Sequence, residues 1–105
     1  MENDELTENQ FLLSIQSGNS ADVLAGLKHG GAYFRFQAIL AAIDHDISTA
    51  EVILQLRVLL KDERVVLGEK ICDFAKVALY KYDGYKVSRD DRAFRLLDLI
   101  KQPGR

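Results

Sequence analysis

Apolar residues recur three and four positions apart through most of this chain, the pattern of helices with one buried side. The longest such run goes from Asp62 to Tyr82, where Leu67, Ile71, Phe74, Ala75, Ala78, Leu79 and Tyr82 fall on one stripe. It predicts a central helix with Asp62 as its cap, Glu63 at the positive end and Gly84 as a left-handed stop.

Shorter helices are expected on either side. Thr7 and Gln10 have capping-box spacing ahead of Phe11, Leu12 and Ile15, with Gly18 as the stop. Ser20 opens a second helix whose Val23, Leu24 and Leu27 face inward until Gly30 and Gly31. From Ala32 to about Asp44, Phe36, Ile39, Leu40 and Ile43 make a third buried face. Ser48 and Glu51 form another capping box, and Val52, Ile53, Leu56, Leu59 and Leu60 carry a fourth helix to Lys61. Almost no loop then separates it from Asp62, so the fourth and central helices should form an αα-hairpin. Residues 83–87 read as a loop. Ser88 and Asp91 cap a last helix with Ala93, Phe94, Leu96, Leu97 and Ile100 inward, before Pro103 and Gly104. No strand of useful length is expected, and residues 1–6 and 102–105 read as loose ends of one domain.

Composition narrows the class. At 105 residues, with 48% apolar and 29% charged residues, the chain suits a single folded domain. The net charge of −2 argues against indiscriminate binding to nucleic acid, so no direct nucleic-acid partner is expected. That figure conceals an asymmetry: residues 1–51 hold eight acids against two bases, and residues 52–105 hold eight against twelve, about −6 and +4. One cysteine, Cys72, allows no internal disulfide and suits a buried small hydrophobe in a reducing cytoplasm. The acidic start and the lack of a long apolar run point away from export and membrane insertion.

Few residues suggest chemistry. Asp22, Asp44, Asp46 and Glu51 sit near helix turns, where they could gather into an acidic edge for a basic partner; turn and cap positions also select these residues for purely local reasons. Tyr80, Tyr82 and Tyr85 alternate with Lys81 and Lys86; Tyr85, in the glycine loop, suits an interface anchor, Tyr82 suits the core, and the interleaving also resembles a base-stacking platform. Asp44-His45-Asp46 invites a metal reading, but adjacent helical side chains diverge. His29 suits the negative end of the second helix, and Cys72 lacks the electropositive setting of a nucleophile. Arg92 and Arg95 lead a basic group interrupted by Asp90, Asp91 and Asp98. Catalytic residues, cofactors and metals are not expected.

Two resemblances follow. Phe34-Arg35, Ala38-Ile39 and Ala42-Ile43 are similar to the aliphatic-arginine step and small-apolar positions in the second helix of a HEAT-type unit, and Asp62 to Val66 resembles the inter-helix turn of a following unit. Lys70 departs from that pattern. The resemblance spans residues 20–82 and implies an all-α fold of about six helices, HEAT-like αα-hairpin pairs with capping helices. In size, class and charge layout the chain also resembles small immunity proteins that accompany bacterial toxins, including those of contact-dependent inhibition. That likeness implies a noncatalytic cytoplasmic inhibitor whose partner is a cognate toxin, basic and nuclease-like, with Asp22, Asp44, Asp46, Glu51 and Tyr85 as contact residues. The alternative is a small helical-repeat adaptor or regulatory subunit, and self-association through a free helical edge stays open.

Overall fold

Periodicity of three and four becomes helix over most of the chain. The computed structural model describes residues 4–98, and side chains from residue 8 onward. Its elements are α1 (Asp4–Gln16), α2 (Ser20–Leu27), α3 (Ala32–Asp44), α4 (Ala50–Val58) with a closing 3-10 turn (Leu59–Lys61), a hairpin of β1 (Val65–Val66) and β2 (Glu69–Lys70), α5 (Ile71–Asp83) and a 3-10 helix (Arg92–Leu97). The fold is all-α, with about six helices and one minimal two-stranded ladder among the described residues.

Helix starts shift by a residue or a turn from expectation because a neighbouring side chain caps better. Asn19, not Ser20, caps α2 by accepting the Asp22 N–H, and Thr49, not Ser48, caps α4 by accepting the Val52 N–H. Thr7 lies inside α1, which already runs from Asp4, so Asp4–Leu6 are helical instead of loose. Gly84 does stop α5 in left-handed backbone, at φ 69°.

The main correction concerns the expected central helix. Only its second half is helical. Asp62 follows the 3-10 turn, and the chain then makes the Val65–Lys70 hairpin before α5 begins at Ile71. Three features oppose a helix here: two β-branched residues in a row, a glycine that would sit in a helix interior, and left-handed backbone at Leu67 and Gly68. The last makes the two-residue turn of a type I′ hairpin. Leu67 therefore leaves the buried stripe and is 79% exposed, while Ile71, Phe74, Ala75, Ala78 and Leu79 keep it. The direct α4–α5 hairpin is likewise replaced by a twelve-residue connection, counted from Leu59 to Lys70.

Helix α5 fills the centre. Each residue from Ile71 to Ala75 and from Val77 to Leu79 is buried, and α3, α4, the 3-10 turn and the 3-10 helix all pack on it. Phe74 of α5 meets Phe36 of α3 edge-on at 4.9 Å. Helices α1, α2 and α3 close tightly around Gly26, where a Cβ would lie 2.8 Å from Ile15 Cδ1 and 3.0 Å from Ala38 Cβ. In the 3-10 helix, Ala93 and Leu97 are buried, but Phe94, expected to face inward, points out at 37% exposure. Ile100, Pro103 and Gly104 lie outside the described residues.

One ion pair locks the connection. Arg35 of α3 donates from Nε to Asp62 Oδ2 at 2.7 Å and from Nη1 to the carbonyls of His29 and Gly30 at 2.7 and 2.9 Å. Asp62 in turn accepts the Arg64 N–H on Oδ1 at 3.0 Å and the Cys72 N–H on its carbonyl at 2.8 Å. The side chains are only 11% and 14% exposed, so removing one partner strands a nearly buried charge. Asp62→Ala is expected to cost about 2–3 kcal/mol in urea unfolding, with Arg35→Ala and the double variant costing little more than either alone.

Candidate functional site

Of the predicted acidic edge, Asp22 is half-buried, and Asp44, Asp46 and Glu51 are exposed. Asp22, on the first turn of α2, accepts a short hydrogen bond from the Ser14 hydroxyl of α1 and is half-buried. It ties two helices together. Asp46 lies in the α3–α4 connection with left-handed backbone, φ 54°, a conformation that aspartate tolerates better than most residues. Its carboxylate pairs with Lys81 Nζ at 2.8 Å and accepts from Tyr82 at 2.9 Å.

Those contacts close the C-terminal end of α3. Lys81 also donates to the Ile43 carbonyl at 3.2 Å, and Tyr82 Oη lies 3.0 and 3.2 Å from the carbonyls of Ala42 and Ile43. A cation and a hydroxyl from α5 thus meet carbonyls that α3 cannot satisfy itself. Hydrogen bonds from Lys81, then from Tyr82, hold the Asp46 carboxyl below the usual aspartate range, and the bond to Asp46 raises Lys81. Burial, followed by the Asp46 contact, pushes the Tyr82 phenol up to about 12. Tyr82 is half-buried at the margin, where its hydroxyl closes the end of α3, and it does not join the core cluster in which the sequence placed it.

Asp44 and Glu51 are exposed, one at the end of α3 and one in the first turn of α4. Beyond Glu51, at spacings of three and four along α4, stand Leu54 and Val58, 64% and 60% exposed. Their side chains share the outer face of the helix. Periodicity along α4 marks the inward stripe of Val52, Leu56 and Leu59, and Leu54 and Val58 are the apolar residues that fall outside it, the one signal in the sequence for this outer face.

Tyr85 does not stand out from its loop. It is half-buried against the core, and its N–H donates to the Leu79 carbonyl at 3.2 Å. The chain after Gly84 folds back on α5, so the ring packs inward, away from the acidic edge. The same fold-back brings Asp91 to Lys76 at 2.9 Å, with Asp73 at 3.7 Å on the other side of the ammonium. Asp73 is 4% exposed and its Oδ2 has no hydrogen-bond partner. The Ala93 N–H is the main cause of the lowered Asp91 carboxyl, and the hydrogen bond to Asp91 raises Lys76.

His29 lies just past α2, where its Nδ1 accepts the Gly31 N–H at 2.8 Å and its ring packs 4.3 Å from Phe34 and 5.8 Å from Phe11. It braces the α2–α3 turn. His45 Nε2 pairs with the Gln16 carbonyl at 2.9 Å, and its ring covers Gly18 so closely that a Cβ there would lie 2.6 Å away. Among the described residues, no three His, Cys, Asp or Glu side chains group as a metal site. Cys72 is buried, and desolvation, then the charge of Asp73, pushes its thiol up. Arg92 and Arg95 both address Glu69 of β2, Arg92 at 3.8 Å and Arg95 by a short contact. No described helix is long and apolar enough to cross a membrane.

Compared with protein-family models, curated protein sequences and solved structures, the chain matches none.

The charge contacts set a pH profile. Asp46 and Asp91 have lowered carboxyls when folded, so their contribution is full above the ordinary value of 3.8 and is lost as pH falls through the lowered folded values. Lys76 and Lys81, raised when folded, contribute fully below 10.5 and lose that contribution as pH rises through their folded values. Melting followed by circular dichroism from about pH 2 to 5 should show an acid limb that the Asp46→Asn, Asp91→Asn double variant flattens. Tyr82→Phe should lower stability by about 1 kcal/mol at neutral pH, read by urea unfolding.

Proposed function

We propose that this chain acts by binding, without chemistry of its own, and that its specific role is that of an immunity protein in the bacterial cytoplasm. Its partner is a cognate toxin, basic and nuclease-like, whose active site it covers. The observation that carries this reading is the outer face of α4, where Leu54 and Val58 are exposed in line with Glu51. An apolar centre with charge at its margin is how protein interfaces are commonly built. A nuclease must present positive charge to phosphate, so carboxylates at that margin favour encounter and register. The acidic bias of residues 1–51 supports the same sense of approach.

Asp22 leaves the contact set, since its carboxylate is half-buried between α1 and α2. Tyr85 leaves it because its ring packs on the core. The contact residues become Asp44, Asp46, Glu51, Leu54 and Val58, with Asp46 still 70% exposed beside Lys81. A second reading, a helical-repeat adaptor, is favoured by the Arg35–Asp62 pair, which links the two segments that resemble HEAT-type units.

The test is to read the neighbouring open reading frames for a toxin and to co-express its toxin domain with this chain, scored by growth and by calorimetry of the purified pair. Glu51→Lys with Leu54→Arg should weaken binding at least about 30-fold, the equivalent of one interface hot spot, while the circular dichroism spectrum is unchanged. Undiminished affinity would remove the α4 face from the interface. Growth arrest despite co-expression would remove the immunity role and leave the adaptor.

A further inference from the structure

Helices α1 and α3 lie side by side and run in the same direction. Phe11 stacks on Phe34 at 5.6 Å, and further along both helices the Gln16 amide donates to Gln37 Oε1 at 3.4 Å. Leu13 falls between Phe11 and Gln16, so it comes level with the stretch of α3 between Phe34 and Gln37. It is 63% exposed, one turn before Gln16, while Tyr33 is 46% exposed, one turn before Gln37. Gln37 also donates to the Tyr33 hydroxyl at 2.9 Å, and half-buried Leu40 continues that stripe by a turn. The outer side of the pair thus sets apolar side chains about two linked amides.

These stripes carry no charge. Asn9, Leu13 and Gln16 hold the α1 side and Tyr33, Gln37 and Leu40 the α3 side, so a partner of either sign finds no ion there to pair with. Charges flank the stripes without entering them. Glu8 adjoins Asn9, Asp44 and Asp46 come after Leu40 with Asp46 paired to Lys81, and exposed Arg64 precedes β1, which packs on α3.

We infer that the outer face of α1 and α3 is where two copies of this chain meet in solution, Leu13 and Tyr33 of each packing on the same pair of helices in the other. An isologous contact must be complementary to itself, which a patch of one charge cannot be. Two amides and a phenol hydroxyl can be, because each both donates and accepts and so pairs with its own copy. Helices of 13 residues are about 20 Å long, and two side by side cover roughly 400 Å², half of the about 800 Å² that each partner buries in a standard interface. The dimer is accordingly weak and reversible. Acids at the ends of the face approach those of the other copy, so screening by salt favours the pair. The contact leaves Glu51, Leu54 and Val58 free and stands whether or not a toxin is the other partner.

Sedimentation equilibrium of the full chain from about 10 μM to 1 mM should show monomer passing reversibly to dimer, no weaker at about 0.5 M salt than at about 0.1 M. Leu13→Glu with Tyr33→Glu sets like charges across the two-fold axis and should weaken the dimer at least about tenfold, with the circular dichroism spectrum and Tm nearly unchanged. Gln37→Arg alone should act in the same direction, and Leu54→Arg should leave the dimer as it is. A chain monomeric throughout that range, a dimer that salt dissociates, or one that Leu13→Glu with Tyr33→Glu leaves intact would each overturn the assignment. Dimerisation lost in Leu54→Arg would move the contact to α4 and equally overturn it. Loss of toxin-domain capture by Leu13→Glu with Tyr33→Glu, in a chain that is monomeric to begin with, would give this face to the toxin instead.

Discussion

A nearly buried guanidinium imposes the tightest constraint on this fold. Arg35 cannot lose its charge, so wherever α3 carries it, acceptors must be supplied. The α2–α3 turn gives two carbonyls and the connection after α4 gives the Asp62 carboxylate. Once Asp62 is held, its own carbonyl receives the Cys72 N–H and the Arg64 carbonyl receives the Ile71 N–H, which sets where α5 begins. Segments far apart in sequence are thereby fixed around one side chain, and the hairpin is the length of chain left between two anchored points.

A second set of contacts does the same work at the opposite end of α3. Lys81 and Tyr82, on the last turns of α5, meet the terminal carbonyls of α3 and the carboxylate of Asp46. These polar groups orient helices that the apolar core would otherwise hold together with little angular preference. Hydrophobic burial supplies most of the stability, and directional contacts choose among packings of similar burial.

The division of carboxylates follows from this. Asp22 and Asp62 are drawn into the scaffold, while Asp44, Asp46 and Glu51 keep exposed side chains, Asp46 even as it pairs with Lys81. The basic second half divides likewise, with Lys76 turned to Asp73 and Asp91 and the bases of the hairpin left at the surface. Net charge per segment is thus a poor guide to the surface a partner meets, because the pairs that hold the fold together remove both signs from view.

Helix content, the inward residues of α2, α3 and α4, and the Gly84 stop were all legible in the sequence, since each depends on spacing within a single turn or two of chain. So was the burial of Cys72. The hairpin was not, because Leu67-Gly68 lacks the usual Asn-Gly signature and its flanking apolar residues fit a helical stripe by coincidence of spacing. Which aspartates would be exposed, and that Tyr85 would pack inward, depended on partners such as Ser14 and Lys81 that arrive from other helices. Local periodicity determines what a segment can bury; only the assembled helices decide which polar groups remain to face a partner, since each pairing is made across distances the chain does not encode locally.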